Sequence, residues 1–141
     1  MVKNTENITL QLVIKKDLRF LYELLKERNS SINISHKKMP TFNEHVNFVL
    51  SKPYSKWYII YLCRNKVGSV YLSKQNEIGI FIKKEFLKKG IGTEVLKKIM
   101  KLHPRKQFLA NINPKNKKSI EFFKKNGFNI LQYTYELQKE S

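Results

Sequence analysis

Two periodicities of apolar and polar residues run along the chain, and the switches between them mark the elements. Residues 7 to 14, NITLQLVI, alternate and are rich in branched side chains, which predicts a first strand. Asp17 then stands at the start of LRFLYELLKERN, where Leu18, Leu21, Leu24 and Leu25 fall on one helical face, so Asp17 is expected to cap a helix. After the polar SSINISHKKMP, taken as a loop, Thr41 and Glu44 have the spacing of a capping box and predict a second helix over FNEHVNFVLSK. Three strand-like runs follow, WYIIYLC at 57 to 63, KVGSVYL at 66 to 72 and EIGIFI at 77 to 82, with polar turns short enough for an antiparallel meander.

The helical period returns from Gly90 to His103, where Val95, Leu96, Ile99, Met100 and Leu102 are spaced to pack on a sheet and Pro104 ends the run. QFLANI at 107 to 112 reads as a buried strand. A last helix is expected between Asn116 and Asn126, stopped by Gly127 as a left-handed cap, and FNILQYTYEL closes with strand alternation. The predicted order is β-α-α-β-β-β-α-β-α-β, an α/β fold with a mixed, mostly antiparallel central sheet flanked by helices. No linker or repeat interrupts it, so residues 1 to 141 are expected to form a single domain.

Composition narrows the classes. Hydrophobic content of 41% and aromatic content of 12%, spread along the chain, exclude a disordered tail. No apolar run nears the roughly 18 residues that span a bilayer, and the amino terminus has no signal-peptide core, so a cytoplasmic protein without a membrane partner is expected. Cys63, the single cysteine, sits in an apolar run and reads as a small core residue; no metal site is predicted. The net charge of +17 invites a nucleic-acid reading, but lysine outnumbers arginine 24 to 4, and arginine is the residue that forks onto phosphate and guanine edges. Nucleic acid is therefore a disfavoured partner, and the field would equally steer a nucleotide cofactor.

The chemistry concentrates at FLKKGIGTEVL. A helix amino terminus offers unpaired amides and a positive dipole end, and glycines there let an anion come close. Gly90 and Gly92 read either as a phosphate cradle with Lys88 and Lys89 at its rim and the Thr93 hydroxyl nearby, or as a tight turn and a close packing contact.

Taken in order, NEIGIFI, LKKGIGTEVL, FLANI and NPKNKKSIEFFKKNGF resemble the GCN5-related N-acetyltransferases (GNAT), which move an acetyl group from acetyl coenzyme A to an amine. The resemblance implies that the backbone amides of Lys88, Lys89, Gly90, Ile91 and Gly92 hold the pyrophosphate, with Thr93 beside them in the cofactor site. Leu87 stands where the family pattern begins with Gln or Arg. It implies that the backbone of Phe81 and Ile82 meets the pantetheine and can hold an oxyanion, with Asn113, Asn116, Ser119 and Phe123 completing the cofactor site. Phe123 occupies the position of a tyrosine that many members use to protonate the departing thiolate. Water, Ser119, Tyr133 or Tyr135 is then the expected donor. Glu77 resembles the carboxylate that some members use as base.

The acceptor is expected against residues 30 to 57, with His36, Glu44 and His45 as polar contacts and Trp57 as a stacking surface or a core residue. ISHKKMPTFNEH is similar to acetyltransferases of surface-sugar pathways, which implies a small-molecule amine, with a nucleotide-linked amino sugar as the favoured acceptor. A protein amino-terminal or ribosomal-protein acetyltransferase is the enzyme alternative, and a basic nucleic-acid-binding module is the alternative of another class. The chain is expected to act as a monomer or a homodimer.

Overall fold

The computed structural model describes residues 7 to 31 and 38 to 139. Strand β1 (Ile8–Leu12) is followed by a 3-10 turn (Lys15–Asp17), α1 (Leu18–Ser31) and α2 (Phe42–Leu50). The meander β2 (Lys56–Leu62), β3 (Asn65–Leu72) and β4 (Ile78–Ile82) comes next, then α3 (Ile91–Leu102) and α4 (Lys117–Lys125). The sheet has the order β1-β2-β3-β4 and every pair in it is antiparallel. Its mixed character comes from one parallel bridge, Glu77 to Leu109. The α/β class stands, with helices flanking the sheet.

The alternation of the strands sorts their side chains onto two faces. One face carries Tyr58, Ile60, Val70, Leu72 and Ile78 into the main core, where Ile91, Val95, Leu96 and Ile99 of α3 meet them. Each fully buried aliphatic there contributes about 2 kcal/mol. The other face sets Ile59 against Leu21 of α1 and Val49 of α2, with Trp57 and Tyr61 alongside. A bulge adjusts the pattern: Tyr61 pairs with Lys66 and Ile60 with Gly68, so Val67 is the extra residue and joins Val70 in the main core.

Three expectations change. Asp17 is not the cap of α1; buried at the end of the 3-10 turn, its carboxylate accepts the Ile14 amide at 2.8 Å and pairs with Lys66 at 2.7 Å. Cys63 is not in the core; it is exposed in the β2–β3 turn with φ of 58°. QFLANI pairs its backbone with the sheet only at Leu109, and residues 128 to 137 carry no strand, so the last two strands of the predicted order are not formed. His103 ends α3, its Nε2 meets the Tyr58 hydroxyl at 2.6 Å, and burial together with Lys56 and Arg105 lowers its pKa. No helix among the described residues is long and apolar enough to cross a membrane.

Candidate functional site

The entrance to α3 is shaped by two left-handed residues. Lys88 has φ of 64° and Gly90, the residue before the helix, has φ of 77°. Gly90 has no side chain to offer, so no capping side chain bonds the first-turn amides of Ile91, Gly92 and Thr93, which the helix itself leaves unpaired. Lys88, Lys89 and Gly90 are all exposed around them. This is an anion-binding entrance built from backbone. Gly92 also serves the packing of the helices. A Cβ there would come within 3.0 Å of the Phe122 ring, so α4 packs onto α3 through the missing side chain. The Thr93 hydroxyl faces Asn126 Nδ2 at 3.5 Å and helps join the two helices. Both readings of the glycine pair thus have a physical counterpart, one in the amides and one in Phe122.

The second feature is the free edge of β4. Ile78 donates its N–H to Leu109 at 2.8 Å and Leu109 donates to the Asn76 carbonyl at 2.8 Å; beyond this bridge the two segments part. Alternate residues of a strand address the same edge, so Ile80 and Ile82 turn their backbone groups toward the opening. Phe81 does not share that edge. Its carbonyl faces Gly68 of β3, and its ring points to the opposite side of the sheet.

Glu77 sits where β4 and the 107 to 112 segment separate. Its carboxylate accepts the Ser73 hydroxyl at 3.0 Å on one oxygen and the Asn111 side-chain amide on the other. The Ser73 hydroxyl in turn accepts the Glu77 and Gln75 amides at 3.0 and 3.2 Å, so the turn that carries the carboxylate is fixed. Burial raises the pKa of both Tyr54 and Tyr71, and Glu77 is close enough to push the two phenols up further.

Beyond the sheet lies a cavity of about 450 Å³ between α1, α2 and the face of β2 to β4. Aromatic rings wall it: Tyr54 and Tyr71 stack at 3.7 Å, Trp57 meets Tyr54 edge-on at 4.8 Å, and Phe48 abuts both Tyr54 and Trp57. Gly79 is the register partner of Tyr71 and leaves the space that the tyrosine ring fills. The Arg28 guanidinium lies 4.1 Å over the Phe81 ring; burial lowers its pKa from the ordinary guanidinium range, against the pull of Tyr71 and Tyr54. His45 is 6% exposed and burial holds its pKa below the ordinary 6.5, so the ring is neutral at pH 7. Among the described residues, His45 Nδ1 and Trp57 Nε1 are buried without a hydrogen-bond partner. A buried orphan donor costs about 1 to 3 kcal/mol, which a ligand oxygen can recover.

Glu44 lines the cavity, but its carboxylate is engaged by the Thr41 amide at 2.8 Å, the capping box seen in the sequence, and that bond holds its pKa down. Asn116 caps α4 by accepting the Ser119 amide at 3.2 Å, and Asn113 accepts the Lys115 amide at 2.8 Å. Phe123 is 8% exposed and packs edge-on between Phe122 and Phe128 in the main core. His36 lies outside the described residues. Sequence reasoning missed Arg28, Tyr71 and the outward Phe81 ring. The signal was present in the meander: Ser69, Tyr71 and Phe81 share the strand face opposite the main core, and a polar or aromatic residue there is a lining candidate.

The sequence model of the acetyltransferase (GNAT) family matches residues 18–128. A domain from Methanocaldococcus jannaschii superimposes with a TM-score of 0.77 at 27% identity, covering 92% of each chain. An acetyltransferase from Thermus thermophilus gives 0.72 at 18%, covering 89% of each. The ribosomal L7/L12 α-N-protein acetyltransferase RimL, solved with coenzyme A, gives 0.72 at 17%, covering 89% of this chain and 82% of RimL. No curated protein sequence matches the chain.

Proposed function

The chain belongs to the GNAT family of acetyltransferases and is an acyltransferase using acetyl coenzyme A; from that premise we propose that its acceptor is a primary amine on a small, oxygen-rich molecule, with a nucleotide-linked amino sugar the favoured member of the class. The observation that carries this is the pair of unpartnered buried groups, Trp57 Nε1 and His45 Nδ1, in an aromatic-walled cavity. An indole N–H is a donor only, so its partner is an oxygen or another acceptor atom. Flat aromatic walls suit the apolar face of a sugar or a base, and Arg28 at the cavity suits a phosphate or carboxylate. A polyamine fits poorly beside Arg28 and in the field of a +17 chain. RimL, an α-N-protein acetyltransferase, keeps the peptide reading as the comparison to beat.

Acetyl coenzyme A, when bound, supplies the acetyl group as an activated thioester. The chain's own part begins at α3, where the amides of Ile91, Gly92 and Thr93 hold the pyrophosphate and Lys88 and Lys89 add charge. The free edge of β4 at Ile80 and Ile82 orients the pantetheine arm. Glu77, fixed by Ser73 and Asn111, takes the proton from the acceptor ammonium, directly or through a water. A thiol has a pKa near 8.5, so its departure needs little acid help. In the single chain Tyr133 and Tyr135 stand in solvent at 75% and 90% exposure, and Phe123 has no hydroxyl, which leaves water or the Ser119 hydroxyl as the donor.

Thiol release measured across nucleotide-linked amino sugars, peptides and polyamines tests the acceptor class. The highest kcat/KM is expected for an amino sugar nucleotide, and a preference for peptides or polyamines would sink the proposal. Trp57→Phe removes the N–H and keeps the ring, so KM for the true acceptor should rise about tenfold with kcat little changed. Gly90→Ala tests the cradle: alanine held left-handed costs about 1 to 2 kcal/mol, so either the cap rearranges or the amides shift. Calorimetric titration should then show coenzyme A binding weakened by about tenfold, and an unchanged Kd would remove the cradle from the mechanism.

A further inference from the structure

The 107 to 112 segment is a strand in all but pairing. Phe108, Ala110 and Ile112 turn alternately into the main core, yet beyond Leu109 no backbone hydrogen bond engages residues 110 to 112 among the described residues. The sheet therefore ends in a seated but open edge. The carboxyl-terminal segment presents the opposite deficiency. Leu131, Tyr133, Tyr135 and Leu137 alternate onto one face, as in a half-buried strand, but they are 67%, 75%, 90% and 83% exposed. No backbone hydrogen bond joins residues 129 to 139 to the rest of the described chain.

We propose that residues 129 to 138 form a strand on the open 110 to 112 edge of a second copy of this chain, and that the second copy returns the same contact. The segment leaves the body at a fixed point: Phe128 donates its N–H to the Phe123 carbonyl at 2.9 Å and packs its ring on Phe123. Past that anchor it runs free of its own sheet. Each copy holds an edge without a strand and a strand without an edge, and a twofold axis satisfies both at once. Charge points the same way. In a chain with 28 basic residues, residues 129 to 138, NILQYTYELQ, carry one charged side chain, Glu136. Such a run, apolar, β-prone and nearly uncharged, is an aggregation hazard when it stays in solvent, and a paired edge removes the hazard. The repulsion between two +17 bodies works against the pair, so added salt should strengthen it.

Hydrogen exchange and light scattering on the full chain across a dilution series test this. At high concentration the mass should be twice 16.8 kDa, and the amides of residues 133 to 137 should exchange about tenfold or more slowly than in an unfolded peptide, with mass and protection falling together on dilution. Protection that persists at a single-chain mass means that the segment seats on its own sheet, and overturns the proposal. A chain that is single at every concentration, or a dimer whose segment exchanges freely, overturns it as well. Leu131→Lys combined with Tyr133→Lys changes two solvent-facing side chains, so the helical circular dichroism should be retained. That variant should stay single-chain where the parent pairs, and a variant that pairs like the parent counts against the exchange.

Discussion

Glu77→Gln is expected to lower turnover about a hundredfold while coenzyme A binding stays as it was. Glutamine keeps the size and an oxygen for the Ser73 hydroxyl, but it cannot take a proton from an ammonium. The change removes a function more than a shape, because the turn is also held by the Gln75 and Glu77 amides donating to the Ser73 hydroxyl and by the Ser73 amide donating to the Glu77 carbonyl. The Asn111 contact is the one that suffers, since two amide N–H groups would then face each other unless one side chain flips. Steady-state kinetics across pH, together with a thermal shift by acetyl coenzyme A, separate the two effects. A normal shift with a collapsed kcat supports Glu77 as base. Turnover equal to the parent at every pH would assign the carboxylate to holding the β4 entrance only.

Most of the fold could be read from the chain because its signals are local. The Thr41 and Glu44 spacing is a capping box in the sequence and in the structure, and the Asn116 to Gly127 stretch gives both the amino cap and the left-handed stop of α4. The meander was equally legible, since alternation and short turns place β2, β3 and β4 side by side without help from distant residues. The failures share one cause. Alternation in QFLANI and FNILQYTYEL reports which way side chains would face, while a strand also needs its backbone paired with a neighbour, and the local pattern does not show that β4 and the 107 to 112 segment part after Leu109. Cys63 failed for a related reason: hydrophobic company in sequence did not reveal that the chain turns there with positive φ.

The candidate site divides along the same line. The cradle lies within one contiguous stretch, so Gly90 and the amides after it were visible at once. The cavity proposed for the acceptor is assembled from α1, α2 and three strands, and its walls depend on which face of β3 and β4 looks away from the main core. Trp57 and His45 could be named from the sequence, but Arg28 could be found only once α1 was seen to lie across Phe81. The two halves meet at β4. Its free edge is the one proposed for the cofactor, the Phe81 ring faces the cavity, and Glu77 stands at the point where β4 parts from Leu109.

That dependence on one strand makes Gly68→Ala the most disruptive single methyl group expected in the protein. Gly68 pairs with Ile82, and a Cβ at Gly68 would run into the Phe81 carbonyl oxygen and lie 3.1 Å from the Ile82 Cα. Both obstacles are backbone, so no side-chain rotation relieves the clash, and β4 must move away from β3 or the bulge at Val67 must open. Overpacking of this kind costs about 1 to 3 kcal/mol, more where the backbone cannot yield. For a domain of this size each kcal/mol lowers Tm by roughly 3 to 5 °C, so a fall of about 10 °C is expected by calorimetry. Gly92→Ala is the control, because the atom it meets is the tip of the Phe122 ring and the better helix propensity of alanine offsets part of the strain. Gly68→Ala should also lose both coenzyme A binding and acceptor turnover, since the displaced strand is the wall between the two sites. A Gly68→Ala protein that melts with the parent and turns over normally would show that β4 has slack, and would detach the geometry of Phe81 and Ile82 from catalysis.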